Sequence, residues 1–298
     1  MGKRLLVTGY GGFVAGSVVQ HAGADWDVIA LSRSNITNGR DDITHIQFDL
    51  CEIDRLQQVF EEVQPAVVIH TAAMANVDRC QSQQEEAEAI NVGVTGRLAE
   101  LCRRNGTRIV FCSTDTVFDG KQGMYVEEDV PRPLNYYAAT KVSAEQIVQN
   151  TLDNMVVARL SLVMGFPLIG AGNSFLTGML ASFQQGIPVL MPENEIRTPV
   201  DVVSLGRALL ELAGNDFTGI LHLAGNTRLN RYEMAVRIAA RLGFPQVLVK
   251  PTNSSAMSDR APRPNDASLD NSRAKQVLTT PMLGMAEGLD LILETADK

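Results

Sequence analysis

The residues best equipped for chemistry are Tyr137 and Lys141, in the run Tyr137-Ala138-Ala139-Thr140-Lys141. A helix starting here and running to about Asn150 places phenol and ammonium on one face, because residues four apart are neighbours on a helix surface. A carbonyl that accepts a hydride gathers negative charge on its oxygen and needs a positioned proton donor. A phenol can serve if a nearby cation brings it towards neutrality, and Lys141 is expected to do so and to hydrogen-bond a cofactor ribose. Upstream, Arg108 to Cys112 reads as a strand, and Ser113-Thr114-Asp115 follow at the end that borders a ligand crevice in parallel sheets. Thr114 is either an oxyanion donor or a turn hydroxyl, and Asp115 either meets substrate hydroxyls or anchors the loop holding the Asp119-Gly120 turn. Asn91 sits in a helix-like run, where asparagine is a mediocre choice; it is either part of a water relay to Lys141 or a polar face residue.

A second constellation opens the chain. Leu5 to Val7 lead into Thr8-Gly9-Tyr10-Gly11-Gly12-Phe13-Val14-Ala15, followed by helical residues. A strand, a glycine loop and a helix start are what a dinucleotide pyrophosphate needs. Gly9 permits the sharp turn, Gly12 a close backbone approach, and Ala15 tight helix–strand packing. The second strand ends in Leu31-Ser32-Arg33-Ser34, with no acid to repel a 2′-phosphate and an arginine to bind one, which favours NADP unless Arg33 simply points into water. Asp49, before Leu50, either meets the adenine or caps the next helix.

These sites need a scaffold. Strand-like runs at Arg4 to Val7, Asp27 to Leu31, Ile43 to Phe48, Ala66 to His70, Arg108 to Cys112 and Val156 to Leu160 alternate with helical stretches such as Ile53 to Glu62 and Glu85 to Arg104. That rhythm predicts an α/β fold with a Rossmann-like, doubly wound parallel sheet. After Gly165 a Gly- and Pro-rich loop starts a smaller α/β substrate-binding lobe. Residues 1–165 and 196–225 are expected to form the dinucleotide-binding domain, and residues 166–195 and 226–298 the lobe.

The net charge of −8 argues against sequence-independent nucleic-acid binding, and anionic ligands must meet local positive charge. No apolar run approaches a membrane span, and MGKRLLVTG lacks the pattern of an export signal, so a cytoplasmic location is expected. Cys51, Cys80, Cys102 and Cys112 show no CxxC spacing and no HExxH occurs, so neither a metal site nor a disulfide framework is expected.

In order and spacing TGYGGFVA, HTAA at His70 to Ala73, Asn91, STDTVFDG at Ser113 to Gly120, YYAATK and ARLSLVMG resemble the extended short-chain dehydrogenase/reductase family. Within it, STDTVFDG, Pro133 to Tyr137 and the tail through Arg263-Pro264 and Ser268 to Ser272 are most similar to dTDP-4-dehydrorhamnose reductases and related sugar-nucleotide reductases. The resemblance spans nearly the whole chain. It implies Thr114, Tyr137 and Lys141 as the catalytic triad, pyrophosphate on Gly9 and Gly12, and the nicotinamide-side ribose beside Thr71-Ala72-Ala73. The implied reaction is reduction of a 4-keto nucleotide sugar by NADPH, as in dTDP-rhamnose biosynthesis, with NADH commonly accepted too. Ser161-Leu162-Val163-Met164 lacks the family's usual aromatic residue, and Glu195 to Pro199 departs from its glycine-containing loop, which leaves the sugar open. Among Arg197, Arg228, Arg231, Arg260 and Arg263, the preferred substrate-gripping pair is Arg197 and Arg263.

Two other function classes share this scaffold. An NAD-dependent epimerase or dehydratase usually carries an acid after the second strand or a carboxylate pair near Asp115, neither of which occurs here. A cofactor-binding regulatory subunit without turnover, as in methionine adenosyltransferase, retains the motif residues. A homodimer through two helices at the sheet edge, Glu85 to Arg104 and Tyr137 to Asn150, is a further expectation.

Overall fold

A computed structural model describes residues 2–170, 172, 174–257 and 260–296. The parts of the expected domain divisions that fall on residues 1, 171, 173, 258, 259, 297 and 298 lie outside the described residues.

Strands β1 (Lys3–Thr8), β2 (Trp26–Ser32), β3 (Thr44–Gln47), β4 (Val67–His70), β5 (Arg108–Thr114), β6 (Met155–Leu160) and β7 (Gly219–Leu223) form one seven-stranded sheet. Their order is β7-β6-β5-β4-β1-β2-β3, and every neighbouring pair is parallel. The chain moves outward from β1 to β3, then returns to β4 on the other side of β1. Loops leaving β1 and β4 therefore diverge, which opens a crevice at the carboxyl ends of these strands.

Alternation along the strands supplies two apolar faces. Leu5 and Val7 of β1 join one core cluster, whereas Leu6 joins another. The first cluster is covered by α1 (Phe13–His21) and α5 (Val202–Gly214), the second by α2 (Ile53–Val63), α3 (Val94–Asn105) and α4 (Tyr136–Thr151). Helices on both faces make the sheet doubly wound. Contact between α1 and α5 is close because Gly206 lies against Ser17, whose hydroxyl donates to the Val202 carbonyl at 2.6 Å.

Beyond β6 the chain builds short two-stranded pairs. Val189–Pro192 pairs in parallel with Val249–Thr252, and Ile196–Arg197 pairs antiparallel with Leu229–Asn230. Helices Phe175–Gln184, Arg231–Arg241 and Met285–Ala296 pack around a third apolar cluster containing Met179, Phe183, Met234, Ile238 and Leu289. Ala274, Leu278 and Met282 of the tail instead enter the cluster beneath α5.

Two expectations change. The helix expected over Glu85 to Arg104 is interrupted: Gln84–Glu88 is followed by a π turn, Ala89–Gly93, before α3. Asn91 is drawn inwards there, where its side chain bonds Met74 and Thr140, and a π turn accommodates such an inserted residue. Nor do these helices lie at the sheet edge. Crossovers from β4 to β5 and from β5 to β6 place α3 and α4 against each other over the middle of the sheet.

Candidate active site

The glycine loop leaves β1 in a left-handed conformation, with φ of 80° at Gly9 and 87° at Gly11. Gly12 begins α1 without any side-chain cap, so the first N–H groups and the positive end of the helix are available to an anion. A Cβ on Gly9 would lie 2.9 Å from Thr71 Oγ1 and 3.0 Å from Ala72 N, and one on Gly12 would lie 2.8 Å from the Gly9 carbonyl oxygen. Gly9→Ala should therefore cost about 1–3 kcal/mol of stability and weaken dinucleotide binding. Denaturant unfolding and a dinucleotide titration test this; an unchanged midpoint together with unchanged affinity would contradict the tight-cradle account.

Two cavities of about 620 and about 600 Å³ meet at this loop. Both are bordered by Gly9, Ala72, Ala73 and Ala75, so they form two halves of one groove around the same wall. Gly11, Ser32, Arg33, Asp49 and Leu50 border the first half, whereas Gly12, Phe13, Val14 and Thr71 border the second.

In the first half, Arg33 is exposed and makes no ion pair among the described residues, leaving its guanidinium open to a phosphate. Ser32 is turned inwards, donating to the Ser34 carbonyl and bonding His45 Nε2 at 2.7 Å. Asp49 does not cap α2. Its Oδ1 accepts the Cys51 N–H at 2.9 Å, while Glu52 occupies the N-cap position and accepts the Asp49 N–H at 3.1 Å. Arg79 and Glu86, paired at 2.7 Å, also border this half, and neither residue carries a motif that marks it in the sequence.

Thr114, Asp115, Tyr137 and Lys141 all border the second half. Thr114 ends β5 and so stands at the carboxyl edge of the sheet, where Thr116 Oγ1 lies 3.0 Å from its hydroxyl. Asn135 caps α4 by accepting the Ala138 N–H at 2.9 Å, and donates to the Pro262 carbonyl at 2.9 Å. That cap fixes the first helical turn and with it Tyr137.

The charge relation within this pair differs from expectation. Burial pushes the Tyr137 phenol well above its usual range, the Asp115 carboxylate adds to the rise, and the Thr114 hydroxyl partly offsets it. Lys141 takes no part in that rise: its Nζ lies 4.0 Å from the centroid of the Phe111 ring, and burial brings its pKa down to about 8. With an anion for a neighbour and the ammonium over Phe111, the phenol keeps its proton at neutral pH, the state a proton donor requires.

Arg197, Arg231, Arg260 and Arg263 line the same half. Arg197 and Asp115 form a buried pair at 3.5 Å, with Ser161 Oγ also 3.5 Å from the carboxylate, so Asp115 faces the lobe and does not anchor the Asp119 turn. Burial raises the Asp115 carboxyl and Arg197 lowers it, with burial the larger effect. Arg263 is held by Asp78 at 2.9 Å, and Arg260 by the buried Glu195 at 3.1 Å. Arg231 differs: its guanidinium stacks 5.0 Å from the Phe175 ring, its Nε is buried without a partner, and it makes no ion pair among the described residues. Burial lowers its pKa to about 10. A half-buried guanidinium whose Nε is shielded from solvent and unpaired among the described residues has donors open to an oxyanion. Arg228 is taken by Asp266 and does not border the groove. Sequence spacing cannot assemble this cluster, because strand pairing between Ile196–Arg197 and Leu229–Asn230 creates it.

Two expected site residues lie behind the wall. Thr8 is wholly buried and its hydroxyl bonds His70 Nδ1 at 2.7 Å. Asn91 accepts the Met74 N–H at 2.8 Å and donates to Thr140 Oγ1 at 3.0 Å, with no bond to Lys141.

Several known proteins are similar to this chain. The chain is 32% identical over 233 residues to methionine adenosyltransferase 2 subunit beta of Rattus norvegicus, covering 76% of this chain and 69% of that protein. A hypothetical dTDP-4-dehydrorhamnose reductase from Sulfolobus tokodaii superposes with a TM-score of 0.84 at 30% identity, covering 96% of this chain and 98% of the other. The dTDP-4-dehydrorhamnose reductase of Bacillus anthracis, solved in complex with NADP, superposes with a TM-score of 0.88 at 23% identity, covering 99% and 100%. The family described as the RmlD substrate binding domain matches residues 3–297. With its doubly wound sheet and the motif order of an extended short-chain dehydrogenase/reductase, the chain belongs to the RmlD substrate binding domain family.

Proposed function

We propose that this protein is an NADPH-dependent reductase of a 4-keto nucleotide sugar, with NADH as a possible second cofactor. One observation carries the reading: Thr114, Tyr137 and Lys141 border a cavity that shares its wall with the glycine loop. The groove fits a dinucleotide on its own geometry, because the cradle at Gly9 and Gly12 admits no Cβ and an uncapped helix start faces it. Residues 1–165 and 196–225 hold the cofactor in this reading, and 166–195 with 226–298 hold the sugar nucleotide.

A bound reduced nicotinamide supplies a hydride. The protein does the rest. Arg33 takes a 2′-phosphate, Gly9 and Gly12 take the pyrophosphate, and Thr71 to Ala73 border the ribose nearest the chemistry. Thr114 and Tyr137 donate hydrogen bonds to the substrate carbonyl oxygen, and Tyr137 transfers its proton as charge develops there. Lys141 stabilises the phenolate left behind. Arg231 grips the substrate diphosphate, which changes the preferred pair of Arg197 and Arg263, because Asp115 already holds Arg197 and Asp78 already holds Arg263.

This scheme sets a pH dependence. Lys141 is cationic below its pKa of about 8 and loses its charge above it, so turnover should fall as pH rises through about 8. A profile of kcat/KM tests this; a rate that climbs steadily through that range would contradict the role of the ammonium.

The direct experiment is to add a panel of 4-keto nucleotide sugars to protein and NADPH and to follow nicotinamide absorbance. Turnover of at least one sugar is expected. A second reading, a cofactor-binding subunit without turnover, draws support from the 32% identity to methionine adenosyltransferase 2 subunit beta. NADPH binding without turnover of any sugar would favour it.

A further inference from the structure

A buried chain of hydrogen bonds runs behind the groove wall. His70, the last residue of β4, is fully buried between two hydroxyls, with Nδ1 2.7 Å from Thr8 Oγ1 and Nε2 2.9 Å from Thr95 Oγ1. Thr95 Oγ1 donates to the Asn91 carbonyl at 2.7 Å. The Asn91 side chain then donates to Thr140 Oγ1 at 3.0 Å, and Thr140 Oγ1 donates to the Tyr137 carbonyl at 2.7 Å. At the other end, Thr8 Oγ1 accepts the Ala72 N–H at 3.2 Å.

The hydrogen-bond partners fit one state of the ring. With the Thr95 proton on the Asn91 carbonyl, where the 2.7 Å contact places it, Thr95 Oγ1 accepts from His70 and Nε2 carries a hydrogen. Thr8 accepts from Ala72, and its own proton has no acceptor other than Nδ1 among the described residues. In that arrangement His70 is the neutral Nε2–H tautomer. Burial and the Lys141 charge both bring its pKa down to about 3.

The position of this ring gives it a task. Thr8 precedes Gly9, and His70 precedes Thr71 to Ala75, so it stands where both groove-lining segments leave the sheet. The wall segment is held at Ala72 through Thr8 and at Met74 through Asn91. We propose that His70, as a neutral donor–acceptor bridge between Thr8 and Thr95, is a positioning residue that sets the dinucleotide groove wall in register with the helix turn carrying Tyr137. The role in cofactor binding rests on the proposed function; the tautomer does not.

Two measurements test it. Nitrogen NMR of histidine-labelled protein should show one imidazole as the neutral Nε2–H tautomer throughout neutral pH, assigned by its loss in His70→Gln. An Nδ1–H tautomer or an imidazolium would overturn the bridge. For binding, His70→Phe should weaken NADPH affinity about tenfold, because both hydroxyls lose a buried partner. His70→Gln, which keeps one acceptor and one donor, should recover most of that loss, and Thr95→Val should reproduce it without touching the ring. Unaltered affinity in both His70→Phe and Thr95→Val would also overturn the inference. Failure of the unsubstituted protein to bind NADPH would instead count against the proposed function, and the NMR result would then decide the bridge by itself.

Discussion

Tyr137→Phe should slow turnover by about 100- to 10,000-fold while leaving NADPH affinity and stability near their original values. The ring packs against the small apolar cluster of Met74, Cys80 and Ala87, and phenylalanine preserves that packing. Only the donor is lost. Because the phenol is raised above its usual range, it is protonated throughout the neutral region, and its own titration does not limit the rate there. Any alkaline decline therefore reports Lys141, and the two residues are separable by comparing the pH profile with the effect of the substitution. Equal turnover by the Tyr137→Phe protein would remove the proton donor from the scheme.

Arg159→Met should destabilise the fold by about 3–5 kcal/mol. Arg159 and Glu145 are each about 2% exposed, and three contacts of 2.8, 3.1 and 3.3 Å join guanidinium to carboxylate. Removing the cation leaves a carboxylate shielded from solvent with, among the described residues, only the Ser113 hydroxyl as side-chain partner. Replacing both residues, as Glu145→Leu with Arg159→Met, should recover most of the loss, because the desolvation of both charges disappears together. Denaturant unfolding of the two proteins tests this, and an Arg159→Met protein as stable as the original would contradict the account. The pair also bears on the site: Ser113 precedes Thr114 on β5, and Glu145 lies one helical turn beyond Lys141.

Much of this architecture is legible in the sequence because it depends on local patterns. Alternating apolar runs marked the strands to within a residue or two at most ends, and strand, glycine loop and helix in succession marked the cradle. The YxxxK spacing placed two functional groups on one helical face, and the structure brings both to one cavity. What the pattern could not show depends on distant partners. The π turn at Ala89–Gly93 follows from Asn91 meeting Met74 and Thr140, residues 17 and 49 positions away. Thr8 belongs to a motif that suggested ligand contact, yet pairing of β1 with β4 sets it against His70. The sign of the Tyr137 shift was equally hidden, since spacing showed Lys141 but gave no weight to burial or to Asp115. Among five candidate arginines, only the fold separates Arg228, neutralised by Asp266, from Arg231, left with open donors in the groove.

A crystal structure grown with NADPH tests the central claim most directly. The account predicts adenosine in the half bordered by Arg33 and Asp49, pyrophosphate at Gly9 and Gly12, and the nicotinamide ring in the half containing Thr114, Tyr137 and Lys141. A nicotinamide ring lodged outside that half, away from both the phenol and the ammonium, would contradict it.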